Sequence, residues 1–440
     1  MRTLEQRRTI ARAIGTAAIN AARPATAVRD AIRMTREEIS IGPWAAGLAA
    51  VDRILVVGAG KAAGMMAQAV EMALGDRVTG GLVVTKDEHA VPTSRVRVVE
   101  ASHPIPDERG VRAADELLRL VSRLTERDLV IVLISGGGSA LLVAPADGIT
   151  LSDKQATTSA LLACGATINE MNCVRKHLSR VKGGQLARAC MPARVVSLIL
   201  SDVIGDPLDV IASGPTVPDP TTFRDALAVL DRYGLRGTVP QAVLRRFDAG
   251  AAGAVPETPK PGDPTFERSI THLVGTNRLA LDAAARLATQ YDYSPRVLTS
   301  TLRGEAREVA KVIGSLAEAV GPHDGPTALI LGGETTVTLS EHPGRGGRNQ
   351  ELALAFAREV AGRDDMVLLS VGTDGTDGPT DAAGALVDGR TCERANAAGF
   401  SVEKALDGHN SYPLLEATSD LVKTGPTGTN VMDVVVVLVG

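Results

Sequence analysis

The chain has 440 residues, which is more than a single hydrophobic core usually supports, so two domains are expected. Its net charge of −4 and its aromatic content of 2% exclude the basic, base-stacking surface that nucleic-acid binding proteins present. Its longest candidate for an apolar span, residues 434–439, is too short to cross a membrane.

The chain begins with a stretch that is typical of an amphipathic helix. Within residues 1–22, apolar side chains recur at roughly helical spacing, and no apolar segment of a signal peptide is present. The cysteines show no CxxC pairing, which is typical of a reduced cytoplasmic protein; they are Cys164, Cys173, Cys190 and Cys392. We therefore expect a cytoplasmic protein. The sequence leaves its oligomeric state open, with a homodimer among the options.

Apolar, β-branched runs alternate with helix-like segments through the first half of the chain. The runs occupy residues 54–58, 80–86, 95–101, 129–135 and 195–203. Continuous apolar strands of this kind indicate a parallel sheet covered by helices on both faces. Right-handed crossovers then place the turns that follow these strands at the carboxyl edge of the sheet, where ligands bind in such folds.

Residues 249–267 interrupt this pattern with a composition rich in Gly, Ala and Pro, which indicates a linker or an exposed loop. The alternation restarts beyond that segment and continues to the C-terminus. The sequence therefore predicts an α/β protein of two domains with a cleft between them. In this prediction, residues 1–248 form a Rossmann-like domain with a parallel sheet, and residues 268–440 form a second α/β domain.

Four glycine-rich turns follow apolar runs and contain charged or hydroxyl-bearing residues. They lie within residues 54–64, 129–142, 328–351 and 368–385. Glycine lets backbone N–H groups approach a ligand closely because it has no Cβ. Where a helix follows the turn, its N-terminus adds free N–H donors and partial positive charge, which suit phosphate. Four such turns in one chain predict an enzyme that binds anionic substrates.

In the first turn, Lys61 follows Gly58 and Gly60 at the point where a strand leads into a helix. A lysine there can bring its ammonium group to phosphate oxygens, and the glycines expose backbone donors. The same segment also fits a dinucleotide fingerprint ending in Ala63, which would indicate an NAD(P)H-dependent reductase. That fingerprint usually requires an acidic residue about 20 positions further on, where this chain has Lys86. The lysine weakens the interpretation as an NAD-dependent reductase and leaves an NADP-dependent reductase open beside phosphate binding.

The second turn carries three consecutive glycines between two serines, directly after an apolar strand. Its backbone N–H groups can wrap a polyphosphate, although the GK[ST] ending of a P-loop is missing. The predicted phosphate-binding residues of this turn are Ser135, Gly136, Gly137, Gly138 and Ser139.

A basic cluster stands out in this acidic chain, at Arg175, Lys176, Arg180 and Lys182. Because Arg175 and Lys182 are seven residues apart, we expect them to share one face of a helix. Lys182 directly precedes two glycines, so we also expect it near phosphate.

Carboxylates follow another buried run, at Asp202, Asp206 and Asp209. Carboxylates at a strand end can orient a substrate hydroxyl, accept its proton or hold Mg²⁺. Asp202 is the candidate general base, and Asp202 and Asp206 are the candidate metal ligands.

The two C-terminal turns carry acidic and basic side chains that suit an α-hydroxy acid. Guanidinium groups bind carboxylate or phosphate through two parallel hydrogen bonds, which makes Arg345 a candidate catalytic residue. The candidate substrate-binding residues are Glu334, Arg348, Asn349, Asp374 and Asp377.

Long motifs at these positions resemble the glycerate 2-kinase family, some members of which are labelled hydroxypyruvate reductase. They include HPIPDE (103–108), SDVIGDPLDVIASGPT (201–216) and GTDGTDGPTDAAGA (372–385), and the likeness runs from about residue 6 to the C-terminus. In this family the C-terminal domain is named multi-organism fragment with rich leucine. The resemblance implies a kinase that transfers the γ-phosphoryl group of ATP to the 2-hydroxyl of D-glycerate with a divalent cation, expected to be Mg²⁺.

The resemblance also implies roles for individual residues. It points to Lys61 and Asp202 as catalytic, and Arg345 is then expected on either the transferred phosphoryl group or the glycerate carboxylate. The expected partners are D-glycerate and ATP. The alternative is an NAD(P)H-dependent hydroxypyruvate reductase, which the first glycine turn allows.

Overall fold

A computed structural model describes residues 2–320 and 324–440 of the chain. Within these residues two compact units are found. The first, here called the N-terminal unit, consists of Ala27–Ser201 and Asp206–Val274. The second, here called the C-terminal unit, consists of Asp202–Gly205 and the described parts of residues 1–26 and 275–440.

Helices and strands alternate along the chain, as the sequence predicts. Up to residue 275 they are α1 (Leu4–Ala21), α2 (Pro24–Ala31), β1 (Ile32–Met34), β2 (Glu38–Ile41), β3 (Trp44–Gly47), β4 (Ile54–Ala59), α3 (Ala63–Leu74), β5 (Val78–Lys86), β6 (Val96–Ala101), α4 (Glu108–Val121), β7 (Leu129–Ile134), α5 (Gly138–Leu141), α6 (Leu151–Ala163), α7 (Ile168–His177), α8 (Gln185–Ala189), β8 (Arg194–Leu200), α9 (Phe223–Arg232), α10 (Gln241–Ala251) and β9 (Ser269–Gly275).

Beyond residue 275 the elements are α11 (Asn277–Gln290), β10 (Ser294–Leu302), α12 (Ala306–Glu318), β11 (Thr327–Gly333), α13 (Arg348–Glu359), β12 (Met366–Gly372), β13 (Gly384–Asp388), α14 (Thr391–Ala397), α15 (Val402–Asp407), α16 (Ser411–Ala417), β14 (Leu421–Val422) and β15 (Asp433–Val439). None of the helices in the described part of the chain combines the length and the apolar character that a bilayer span requires.

The N-terminal unit is built on a six-stranded sheet with the order β6-β5-β4-β7-β8-β9. The β4–β5, β5–β6, β4–β7 and β7–β8 pairs are parallel. Numbered within this sheet, the order is 3-2-1-4-5-6, which is that of doubly wound dinucleotide-binding folds. The order reverses between β4 and β7, and ligands bind outside the carboxyl ends of the strands at such a switch point.

Strands β4 and β7 are buried along their whole length because helices cover both faces of the sheet. A smaller antiparallel sheet, in the order β1-β2-β3, precedes them in the chain. A separate apolar cluster, centred on the fully buried rings of Phe223 and Phe247, joins α6, α7, α9 and α10.

The segment predicted as a linker, residues 249–267, contributes to the N-terminal unit. Thr258 donates a hydrogen bond from Oγ1 to the buried Asp219 carboxylate at 2.8 Å. The N–H of Asp219 donates to the Pro259 carbonyl at 2.9 Å. The domain boundaries at 248 and 268 stay a prediction, since compact units and independently folding domains need not coincide.

The C-terminal unit contains a mixed six-stranded sheet in the order β10-β11-β15-β12-β13-β14. Strands β10 and β11 are parallel, and β15 lies antiparallel to both β11 and β12. The last apolar run of the sequence therefore occupies the middle of the sheet. Helix α1 packs against α11 and β12 and buries the side chains of Ile10 and Ile14, as its predicted amphipathic spacing requires.

Candidate active site

The two glycine turns of the N-terminal unit meet at the switch point of its sheet. The N–H of Lys61 donates to the Gly136 carbonyl at 2.8 Å, and the N–H of Ala62 donates to Ser135 Oγ at 3.0 Å. The first turn follows β4 and the second follows β7, which are adjacent parallel strands. The structure therefore brings the predicted phosphate-binding residues of both turns together.

The glycines of these turns are needed for close packing of the backbone. A Cβ at Gly60 would lie 2.1 Å from Ser135 Oγ, and one at Gly58 would lie 1.9 Å from the Leu133 carbonyl oxygen. Both glycines also have φ values near +150°, which L side chains rarely adopt. Their predicted contact with phosphate stays a prediction.

His103 lies beside the first two turns, which sequence reasoning did not predict. A Cβ at Gly137 would lie 2.9 Å from His103 Cδ2 and 3.4 Å from Lys61 Cγ, so both side chains border this glycine. Burial, followed by the charges of Lys61 and Lys86, lowers the pKa of His103 and keeps the imidazole neutral near pH 7. The signal in the sequence was the position of His103 after the carboxyl end of β6.

Lys182 contacts the second glycine turn directly. Its ammonium group donates to Ser139 O at 2.7 Å and to Ser139 Oγ at 2.9 Å. Burial lowers the pKa of Lys182 well below its usual range, and the nearby charges of Arg175 and Lys154 lower it further. The structure therefore places Lys182 at the second glycine turn, and its predicted contact with phosphate stays a prediction.

The prediction that Arg175 and Lys182 share a helical face is wrong. Helix α7 ends at His177, and the chain is no longer helical when it reaches Lys182. The charge of Arg175 still acts on Lys182, a proximity that comes from the path of the non-helical segment between them and that residue spacing does not encode.

The other two residues of the predicted basic cluster have acidic partners. Lys176 is buried and lies 3.3 Å from Asp219 and 3.4 Å from Asp209. Arg180 forms an ion pair with Asp115. These two cations are therefore compensated within the protein.

The two candidate metal ligands belong to different compact units. Asp206 lies in the N-terminal unit, where its Oδ1 is buried without a hydrogen-bond partner and where burial raises the pKa of its carboxyl group. Asp202 lies in the C-terminal unit, where its charge is one of several that act on Glu334. Among residues 2–320 and 324–440, no group of three His, Cys, Asp or Glu side chains could hold a metal ion.

Arg348 joins two carboxylates in the C-terminal unit. It donates to Asp433 through Nε at 2.6 Å and Nη2 at 2.9 Å, and its Nη1 lies 2.8 Å from Glu334 Oε1. Burial raises the pKa of Glu334, and the Arg348 charge partly opposes that rise. The guanidinium of Arg348 thus fixes the orientation of the Glu334 side chain.

Asp433 is a residue that sequence reasoning missed. It begins β15, and because β15 is antiparallel to both neighbours, Asp433 pairs with Gly333 and Gly372 at the ends of β11 and β12. An isolated carboxylate at the start of an otherwise apolar strand was the available signal. Burial raises the pKa of Asp433.

Asn349 and Asp377 form the N-terminal cap of α13. The backbone N–H groups of Asn349 and Gln350 donate to the two carboxylate oxygens of Asp377 at 3.0 and 2.9 Å. Burial raises the pKa of Asp377 to about 6. The Asn349 side chain is also buried, and its Oδ1 accepts a hydrogen bond from Ser370 at 2.7 Å. The structure gives Asp377 a capping role and places Asn349 in the first turn that it caps, and the predicted substrate contact of both residues stays a prediction.

Asp374 lies in a tight turn after β12. Its Oδ1 accepts a hydrogen bond from the N–H of Thr376 at 3.0 Å, which is an Asx turn. Its charge is among those that raise the pKa of Glu334, after the effect of burial. Asp374, Glu334 and Arg348 therefore belong to one polar group.

Arg345 is held by the loop that precedes α16. Its N–H donates to Asn410 Oδ1 at 2.9 Å, and its carbonyl accepts from the N–H of Tyr412 at 2.9 Å. Its guanidinium carbon lies 3.8 Å from the centroid of the Tyr412 ring, and its Nη2 lies 3.8 Å from Asp381. The side chain is 52% exposed, so a large part of the guanidinium remains open to a ligand.

Two family models match separate parts of the chain. Residues 10–248 match a family model described as a domain of unknown function, DUF4147, and residues 327–433 match the MOFRL family. A glycerate 2-kinase of Pyrococcus horikoshii is 42% identical over 426 residues, which cover 96% of this chain and 95% of the relative. This chain belongs to the glycerate 2-kinase family.

The solved structures extend the likeness to three dimensions. A crystal structure of glycerate kinase from Thermotoga maritima covers 99% of this chain and 100% of its own, with 41% identity and a TM-score of 0.89. A relative from Agrobacterium vitis, 46% identical over 88% of this chain and 87% of its own, carries a provisional hydroxypyruvate reductase name. The family resemblance seen in the motifs is therefore confirmed, and both labels occur within the glycerate 2-kinase family.

Proposed function

We propose that this protein is a kinase that transfers the γ-phosphoryl group of ATP to the C2 hydroxyl of D-glycerate. The observation that carries the proposal is the junction of two glycine turns around Lys61 at the switch point of the N-terminal sheet. The choice of glycerate as substrate follows the names of the kinase relatives described above, and the D form follows the motif resemblance.

Phosphoryl transfer depends on positioning and on neutralising negative charge, with little covalent chemistry for the protein to perform. We assign to Lys61 the binding of phosphoryl oxygens. Its backbone is fixed by the hydrogen bond to Gly136, so the ammonium group starts from a defined position. Burial, followed by the charges of Lys61 and Lys86, lowers the pKa of the neighbouring His103, which favours its neutral form.

We assign to Asp202 the role of general base. It accepts the proton of the C2 hydroxyl as that oxygen bonds to the γ-phosphorus, while the bond from the γ-phosphorus to the β,γ-bridging oxygen breaks and ADP leaves. Glu334, oriented by Arg348, has a carboxylate that can accept a hydrogen bond from a second glycerate hydroxyl. Arg345 has an open guanidinium and binds an anionic oxygen of the substrates.

The protein residues fit a magnesium ion that arrives with the nucleotide. No cage of three acidic or histidine side chains occurs in the described residues, and Mg²⁺ in kinases is usually held by one or two carboxylates together with phosphate oxygens. Asp206, whose buried Oδ1 has no hydrogen-bond partner, is the residue we assign to it. When bound, the ion neutralises phosphate charge and orients the leaving group.

We also propose a cytoplasmic location, supported by the four cysteines, each of which is a free thiol in the structure. Cell fractionation with an antibody to the chain tests this proposal, and recovery in an oxidising compartment would refute it.

The kinase proposal is tested by incubating the pure protein with D-glycerate, ATP and Mg²⁺ and identifying the product by phosphorus NMR. We expect the 2-phosphoglycerate signal. A 3-phosphoglycerate signal would overturn the position of transfer while keeping the kinase. The absence of any phosphorylated product, together with oxidation of NADPH by hydroxypyruvate in a parallel tube, would establish the reductase instead.

A further inference from the structure

Three cationic side chains converge next to the second glycine turn of the N-terminal unit. Lys182 donates two hydrogen bonds to Ser139 of that turn. Lys154, on α6, is buried and donates to the Leu178 carbonyl at 3.0 Å, just beyond the end of α7. Arg175 lies in the last turn of α7, and its charge acts on both lysines.

None of these three cations has an acidic partner among the residues that the structure describes. The neighbouring carboxylates of Asp209 and Asp219 pair with Lys176 and not with these three side chains. The guanidinium of Arg175 forms no hydrogen bond or ion pair with any described residue. Positive charge removed from water without compensation is unfavourable, so these three groups, of which Lys154 and Lys182 are buried, indicate a site for an anion.

A buried amide adds a second, independent sign of a ligand. Asn172 lies on α7, three residues before Arg175, and its Nδ2 is buried without a hydrogen-bond partner. Its Oδ1 accepts from Ser213 at 2.9 Å, and Ser213 lies 2.9 Å from Ser139 Oγ. This chain of hydrogen bonds ties the unused amide donor to the glycine turn.

We propose that Lys154, Arg175 and Lys182, with the amide of Asn172, form a phosphate-binding site that takes the polyphosphate of the nucleotide. Burial lowers the pKa values of Lys154 and Lys182, and an anion bound beside them favours their protonated forms. A triphosphate supplies several negative charges to these three groups, whereas a glycerate carboxylate supplies one. The assignment of a nucleotide as the ligand rests on the proposed kinase function. The inference that the site binds an anion is independent of that function.

Arg175→Gln is the variant that tests the site. Because Arg175 has no hydrogen-bond or ion-pair partner in residues 2–320 and 324–440, its replacement leaves no acidic group there unpaired and relieves repulsion on the two buried lysines. Arg224→Gln is the matched control, since Arg224 is an exposed arginine of α9 in the same unit. Both variants lose one positive charge, so a general electrostatic effect would appear in both.

The measurement is calorimetric titration of each protein with inorganic tripolyphosphate, ATP and D-glycerate. For Arg175→Gln we expect affinity for tripolyphosphate and ATP to fall about tenfold or more, with unchanged glycerate affinity and no loss of thermal stability. Arg224→Gln should bind all three like the wild type. If the glutamine variant folds poorly, Arg175→Met keeps the apolar stem and serves for the same titrations.

The outcomes separate this site from the kinase proposal. Wild-type affinity for tripolyphosphate in a folded Arg175 variant would overturn the site, as would a selective loss of glycerate binding. If the wild type binds tripolyphosphate through Arg175 but forms no phosphoglycerate, the site stands and the kinase proposal fails.

Discussion

Tyr412 lies under the guanidinium of Arg345, with 3.8 Å between the guanidinium carbon and the ring centroid. The N–H of Tyr412 also donates to the Arg345 carbonyl at 2.9 Å, so the two residues are joined through backbone and side chain. The Tyr412 hydroxyl is fixed in turn by Asp381 at 2.7 Å. The ring therefore positions an arginine that is otherwise half exposed.

Replacing Tyr412 should reduce turnover when the aromatic ring is lost and should change turnover little when the ring is kept. Tyr412→Leu removes the cation–π contact, and we expect kcat to fall about threefold to tenfold with a smaller change in KM for ATP. Tyr412→Phe keeps the ring and should retain most of kcat. The exposed Tyr291→Leu is the control. Equal kcat values for the leucine and phenylalanine variants would contradict a positioning role for the ring.

Lys61→Ala should fold normally and lose turnover by about 10² or more, because it removes a preorganised charge from the phosphoryl site. The glycine turns are held by backbone hydrogen bonds that the substitution keeps, so thermal stability should change little. Steady-state kinetics and circular dichroism check both expectations. Lys311→Ala, an exposed lysine paired with Glu308, provides the control. Near-normal turnover of the Lys61 variant would remove Lys61 from the mechanism.

Asp377→Asn should destabilise the protein. The carboxylate accepts the N–H groups of Asn349 and Gln350 at the start of α13, and the amide nitrogen of asparagine would face these donors. We expect a loss of about 1–3 kcal/mol in the free energy of unfolding, measured with urea. Asp407→Asn, at an 82% exposed position, is the control. An unchanged urea midpoint for the Asp377 variant would show that another group caps the helix.

Lys154 should make the folded protein more stable as the pH rises above 7. Burial, followed by the charges of Arg175 and Arg246, lowers the pKa of Lys154 to about 7 from the ordinary value of 10.5. Between these values the unfolded chain binds a proton that the folded protein lacks, so stability increases with pH in this window. Below pH 7 both states carry the charge and the cost of burying it is complete.

The comparison of wild type with Lys154→Met isolates this effect from other titrating groups. The variant should melt at a higher temperature than the wild type at pH 6 to 7, and the difference should narrow as the pH approaches 9. Calorimetric melting curves at each pH measure it. A difference in melting temperature that stays constant over this range would show that Lys154 keeps its ordinary pKa in the folded protein.

Local pattern was sufficient for much of the N-terminal sheet and for its glycine turns. Strands such as β4 and β7 are short, continuous and apolar, and a buried parallel strand requires that composition in any context. The position of Lys61 beside Ser135 and Gly136 follows from two strand ends meeting at one edge of a parallel sheet. The family motifs likewise lie in contiguous stretches, so the sequence alone identified the family.

The direction of β15 and the contacts of Asp433, Arg175 and Tyr412 were decided only by the tertiary structure. An apolar strand has the same sequence pattern whether its neighbours are parallel or antiparallel. The pattern of β15 therefore does not predict the pairing that brings Asp433 to the ends of β11 and β12. Arg175 meets Lys182 through a turn beyond α7, and Tyr412 meets Arg345 across 67 positions of the sequence. Such contacts depend on how distant segments pack, which residue spacing along one segment does not record.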